Sequence, residues 1–152
     1  MQALEIRPAA DADREAVLLL LLAQFDEHAI ATPPDALRAG IDYILARPDA
    51  GRILVAARAG VVVGVAAVTF TRGLEHGGRS AWLEELFVEP SARNAGIGTA
   101  LLRAACDVAL ATGAVAIDLE VDAAHGRAAH LYARAGFRTL PRTRWVRRLT
   151  TP

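Results

Sequence analysis

The chain contains no lysine: all 17 of its basic residues are arginines. That removes a lysine nucleophile, a Schiff base and the lysine of a nucleoside-triphosphate loop, although arginine can still clamp a phosphate. It has a single cysteine, Cys106, which excludes an intramolecular disulfide and a cysteine-rich zinc site. Cys106 lies in an apolar helical pattern, where a small buried side chain is expected. Net charge is missing as well, since 17 acidic residues balance the 17 arginines. A dedicated nucleic-acid binder is therefore not expected. Long apolar runs are absent. Ala16 to Ala23 is too short to span a bilayer, and Ala59 to Phe70 is short and contains Gly60 and Gly64. "MQALEIRPAADADRE" is acidic ahead of the leucines, unlike a secretory leader. The expectation is a soluble cytoplasmic protein with no membrane partner. The histidines show no recognisable metal-ligand spacing, so no metal is expected.

What is present suits one domain, residues 1–152, with 53% hydrophobic residues to build a core. "ALEIRPA" reads as a short strand ended by Pro8. "DADREAVLLLLLAQFDEHA" reads as a helix, with Asp11 or Asp13 as its cap. Its leucines cover more than one face, which permits deep packing or a homodimer contact. "PPDALRAGIDYILARP" is bracketed as a second helix by its prolines. "RILVAARAGVVVGVAAVTF" reads as two strands turning at Ala59 and Gly60. "TRGLEHGGRS" reads as a loop and "AWLEELFVEP" as a strand. Regular alternation would put Leu83, Glu85 and Phe87 on one face, and Trp82, Glu84, Leu86 and Val88 on the other. A helix follows Gly96 and stops at Gly113. "AVAIDLEV" is a strand, "HGRAAHLYARAG" a short helix, and "FRTLPRTRWVRRLT" the material of a last strand interrupted at Pro141. Trp82 and Trp145 are expected to pack. The order implies one mixed α/β layer fold.

"PSARNAGIGTALLRAA" carries the chemistry. A strand that hands over to a helix exposes backbone amides at the helix start, and these amides with the helix dipole attract an anion. Gly96 and Gly98 let that anion approach the backbone, and Arg93 can add a charged fork. A diphosphate suits such a nest. Residue 101 is leucine, so the dinucleotide fingerprint is absent, and there is no Gly-Lys-Ser/Thr. Two acids, Glu84 and Glu85, sit in the otherwise apolar strand just before this turn, where one could accept a proton.

"LEELFVEPSARNAGIGTALL" resembles the acetyl-coenzyme A signature of the GNAT N-acetyltransferases: Arg93, two residues, Gly96, one residue, Gly98. "HGRAAHLYARAGF" resembles the second signature of that family. The resemblance implies an acyl-CoA N-acyltransferase fold, with a mixed, mostly antiparallel central sheet flanked by helices. It implies transfer of the acetyl group of acetyl-CoA, as cosubstrate, directly to a primary amine, with a small molecule as the favoured acceptor. The amides of Arg93, Asn94, Ala95, Gly96, Ile97 and Gly98 would hold the diphosphate. The backbone of Phe87 and Val88 would hold the pantetheine arm, with His125 replacing a frequent asparagine beside it. Tyr132 would protonate the leaving thiolate. Glu84, in preference to Glu85, would assist removal of the amine proton. Asn94 replaces a frequent glycine. Two alternatives stay open: a non-catalytic acyl-CoA-binding or protein-interaction domain, and an N-acetyltransferase acting on proteins or peptides.

Overall fold

The computed structural model describes residues 2–150. β1 (Leu4–Pro8) runs into a short 3-10 turn, Asp11–Asp13, and then α1 (Arg14–Glu27). Asp13 fixes this entry. Its Oδ2 accepts the Ala10 amide at 2.7 Å, and its carboxylate receives both guanidinium nitrogens of Arg7 at 2.6 and 3.0 Å. The arginine holds the Asp13 carboxyl below its ordinary range. α2 (Pro34–Ala46) starts on proline, which needs no amide at the first helical position.

β2 (Gly51–Arg58) and β3 (Val61–Gly73) form a hairpin. Ala59 and Gly60 both take positive φ, the conformation a tight two-residue hairpin turn requires. β4 (Gly78–Val88) continues the antiparallel sheet. A second 3-10 turn, Pro90–Ala92, leads through the glycine turn into α3 (Ile97–Ala111). α3 crosses over to β5 (Ala116–Asp118), which pairs with β4 in parallel, and α4 (Gly126–Arg134) follows. The strand order is β1-β2-β3-β4-β5. This is the mixed, mostly antiparallel sheet that the resemblance implied.

Each face of the sheet buries its own core. Leu54, Val68, Leu83, Ile97, Leu101 and Leu102 pack on the α3 face. Val17, Leu18, Leu21, Ile41, Val65 and Phe87 pack on the α1–α2 face. Among the described residues no helix is long and apolar enough to cross a membrane.

Three local expectations are corrected. "TRGLEHGGRS" is mostly strand, because Thr71, Arg72 and Gly73 pair with Ser80, Arg79 and Gly78, leaving only residues 74–77 as the turn. The alternation of β4 breaks. Ala67 pairs with Glu85 and the next residue, Val68, pairs with Leu83, so Glu84 is an inserted bulge residue. Residues 138–150 form no strand. β5 ends at Asp118 and gives them no edge to register against, and four arginines in "RTRWVRR" leave little to bury. Trp145 is accordingly 91% exposed, not packed.

Candidate active site

The bulge decides what β4 presents. Leu83 and Leu86 are three residues apart, yet both pack into the α3-side core. The backbone between them therefore carries Glu84 and Glu85 to the opposite face. There both line one cleft of ≈ 180 Å³ with Leu21, Phe25, Leu37, Ile41 and Thr69. A regular strand would have sent one acid into each face. Thr69 Oγ1 donates to Glu84 Oε1 at 2.7 Å, which anchors the outer acid. Gln24, buried in α1, donates from Nε2 to the Leu86 carbonyl at 3.4 Å and ties the strand to the helix beside the bulge.

The two acids differ in environment. Burial pushes the Glu85 carboxyl up to about 7, and the neighbouring negative charge of Glu84 adds to the shift. Glu85 is thus a carboxylate poised between its two forms near neutral pH. Tyr132, on α4, is half-buried; burial chiefly, and the Glu85 charge secondarily, raise its phenol. Its hydroxyl keeps its proton, and it feels Glu85 across the space between β4 and α4. Its ring stands edge-on to Phe137 with centroids 5.9 Å apart, which fixes its orientation.

That space exists because β4 outruns β5. The parallel pairing covers only Ser80, Ala81 and Trp82 against Ala116, Ile117 and Asp118. From Leu83 to Val88 one edge of β4, including Phe87 and Val88, has no strand partner on that side among the described residues. An extended arm can lie there as a strand would. The edge leads straight to the glycine turn.

In the turn Asn94 and Gly96 both have positive φ, 62° and 77°. Asn94 is among the few non-glycine types that adopt this conformation readily, which explains why it can replace glycine. α3 makes its first bond from the Ala100 amide to the Gly96 carbonyl. The amides of Ile97, Gly98 and Thr99 therefore have no helical acceptor. A Cβ built on Gly96 would meet nothing within 4 Å, so the turn opens onto free space. Free amides, an open approach and the positive helix end fit a diphosphate.

The side chain of Arg93 goes elsewhere. Its Nε donates to the Val88 carbonyl at 2.9 Å and its Nη2 to Glu27 at 2.9 Å, with the guanidinium 5.2 Å over the Phe87 ring. Arg93 thus buckles the end of β4 to the end of α1, and the charged fork expected at the anion is not formed by it. Arg127 supplies a cation there instead, donating to Asn94 Oδ1 at 3.0 Å from the first turn of α4. In the sequence the only signal for Arg127 is its place in the second signature.

His125 precedes α4 and stacks on His28 with ring centroids 4.2 Å apart. Asp122 Oδ2 lies 3.8 Å from His28 Nδ1 and 3.7 Å from His125 Nδ1. The ligating atoms of these three residues lie within 4.8 Å of one another, a grouping able to hold a cation. Nothing in the linear spacing of His28 announces it. Together with Arg93 and Glu27, it pins the end of α1 to both sides of the space between β4 and α4.

A model of the family described as "Acetyltransferase (GNAT) family" matches residues 15–137. The chain is similar to a protein from Azospirillum brasilense described as an IAA acetyltransferase, 38% identical over 93 residues. That match covers 61% of this chain and spans 58% of the length of the relative. Among solved structures, an integron cassette protein from the mobile metagenome of Cole Harbour Salt Marsh superimposes with a TM-score of 0.84 at 28% identity. That superposition covers 97% of this chain and 91% of the other. The aminoglycoside N-acetyltransferase AAC(6')-Iy, in complex with CoA, superimposes with a TM-score of 0.85 at 21% identity, covering 99% and 97% of the two chains.

Proposed function

We propose that the chain, which belongs to the acetyltransferase (GNAT) family, transfers the acetyl group of acetyl-CoA directly to a primary amine of a small molecule. One observation carries this reading. The β4 bulge brings two carboxylates to one cleft, and the inner one, Glu85, is pushed up to about 7 by burial and by Glu84, with its charge reaching the protonated Tyr132. An amine arrives mostly as a cation, with a pKa near ~10 for a lysine-like group. Glu84 attracts the ammonium and Glu85 accepts its proton, which frees the nitrogen lone pair. As that nitrogen bonds to the thioester carbonyl carbon, the carbon–sulfur bond breaks. The Tyr132 hydroxyl gives its proton to the departing sulfur. The second amine proton, released as the amide forms, restores Tyr132, and Glu85 returns its own to water. The balance is one ammonium and one thioester converted to one amide, one thiol and one proton.

The resemblance chose Glu84 as the base; its exposure and its bond from Thr69 suit it better to holding the ammonium. The amides at Gly96 to Gly98 and Arg127 would bind the diphosphate, and the open edge of β4 at Phe87 and Val88 would take the pantetheine arm. The Val88 carbonyl already accepts Arg93, so that arm would use the remaining groups of the edge or displace the arginine.

The reading is tested by incubating the protein with acetyl-CoA and a panel of primary amines. Thiol release and acetylated amine are then measured together. Equal amounts of the two products, with slow thiol release when amine is omitted, are expected. Tight acetyl-CoA binding with no transfer to any amine would make the chain an acyl-CoA-binding domain instead.

A further inference from the structure

We infer that the acceptor is a monoamine with an apolar body, an alkyl chain of about six carbons or a single aryl ring, laid in the groove between α1, α2 and the sheet. The inference rests on the acetyltransferase reading and narrows its substrate. The cleft that ends at Glu84 and Glu85 is polar at that end alone. Its other walls include Leu21, Phe25, Leu37, Ile41 and Ile44, with Gly40 of α2 among the lining residues.

The size is informative. This cleft is a solvent-open groove of ≈ 180 Å³, room for a short alkyl chain or one ring; for scale, a sealed apolar cavity of roughly 150 Å³ accepts benzene. The charge pattern is equally informative. A second ammonium lying along the groove, as on a polyamine, would be set against Leu37, Ile41 and Ile44, with no carboxylate in the lining beyond Glu84 and Glu85. The hydroxyls of an amino sugar would lose water and find no partner. The site thus attracts one positive charge at its acidic end and disfavours a second one held against its apolar walls, which is discrimination by mismatch as well as by fit.

Gly40 supplies the probe. A Cβ built there meets nothing within 4 Å, and glycine inside α2 is a weak helix former. Gly40→Leu should fold at least as well as the parent while filling the cleft. The experiment compares kcat/KM for ethylamine, butylamine, hexylamine, phenethylamine, putrescine and spermidine in both proteins, with thermal melts as the fold control. In the parent, kcat/KM should rise about three- to fourfold per added methylene up to hexylamine. Hexylamine and phenethylamine should exceed putrescine and spermidine by at least tenfold. Gly40→Leu should lower the hexylamine and phenethylamine values tenfold or more and the ethylamine value far less.

Preference for putrescine or spermidine, or an unchanged chain-length series in Gly40→Leu, overturns the inference while leaving the acetyltransferase reading intact. Absence of turnover with every amine strikes at that reading. Calorimetric binding of hexylamine to the CoA-loaded proteins then decides the pocket. Affinity that exceeds ethylamine's and falls in Gly40→Leu supports the apolar site, and equal affinity for the two amines overturns it.

Discussion

Glu84 and Glu85 are adjacent in a strand and nevertheless line the same cleft, because Glu84 is the unpaired residue of a bulge between Leu83 and Glu85. Their division of labour follows from environment. Glu85 is the more buried of the two, with its carboxyl pushed up to about 7. With saturating acetyl-CoA, the amine transfer rate should climb as pH rises through that value. Glu85→Gln should remove this inflection and slow transfer by roughly 10²–10⁴, with partial recovery at high pH where free amine is plentiful. Glu84→Gln should raise the amine KM and keep the inflection. Rate profiles of the three proteins decide the assignment, and an inflection that survives in Glu85→Gln refutes it.

The same carboxyl has a consequence for stability. Its folded value lies above the ordinary 4.5, so between those values the folded chain holds a proton that the unfolded chain has released. The stabilising contribution is full below the ordinary value and is lost as pH rises through about 7. Glu85→Gln, which cannot ionise, should therefore be more stable than the parent at pH 8 by on the order of 1 kcal/mol, a shift of roughly 2–4 °C in Tm. At pH 4 the two should melt together. Thermal melts at both pH values check this, and a variant destabilised at pH 8 would contradict it.

Tyr132→Phe preserves the edge-on contact with Phe137 and removes only the hydroxyl proton. Transfer should slow by about 10²–10⁴, with acetyl-CoA affinity nearly unchanged. Single-turnover rates and calorimetry separate the two effects. A parent-like rate under conditions where chemistry limits turnover would exclude the tyrosine as proton donor.

The order of elements was legible because hydrophobic period and turn residues encode them locally: prolines frame α2, and Gly113, at φ 87°, ends α3 as a left-handed stop. The glycine turn ahead of α3 was legible for the same reason. The bulge was not, since no glycine or proline marks it and only the register against Ala67 and Val68 reveals the inserted residue. The stack of His28 on His125 joins residues far apart in sequence and has no local signal. The expected final strand does not form, because strand propensity in "TRWVRRL" does not supply an edge to pair with.

The glycine turn separates affinity from stability. A Cβ on Gly98 would sit 3.7 Å from Leu131 Cδ2 and 4.0 Å from Val88 Cγ2, ordinary contact distances. Gly98→Ala should therefore fold as the parent does. Its methyl would nevertheless stand on the approach to the amides at the start of α3, and acetyl-CoA affinity should fall about tenfold, or ~1.4 kcal/mol. Gly96→Ala has open space around the added carbon but must hold φ near 77°, at a cost of roughly 1–2 kcal/mol in stability. Arg127→Gln removes the exposed cation beside Asn94 and should weaken binding a few-fold, with less sensitivity to salt than the parent because a screened attraction is gone. Calorimetry at low and high salt, paired with denaturant melts, reads all three. Gly98→Ala binding acetyl-CoA with parent affinity in a fully folded protein would remove the diphosphate from this turn, whatever Arg127→Gln does.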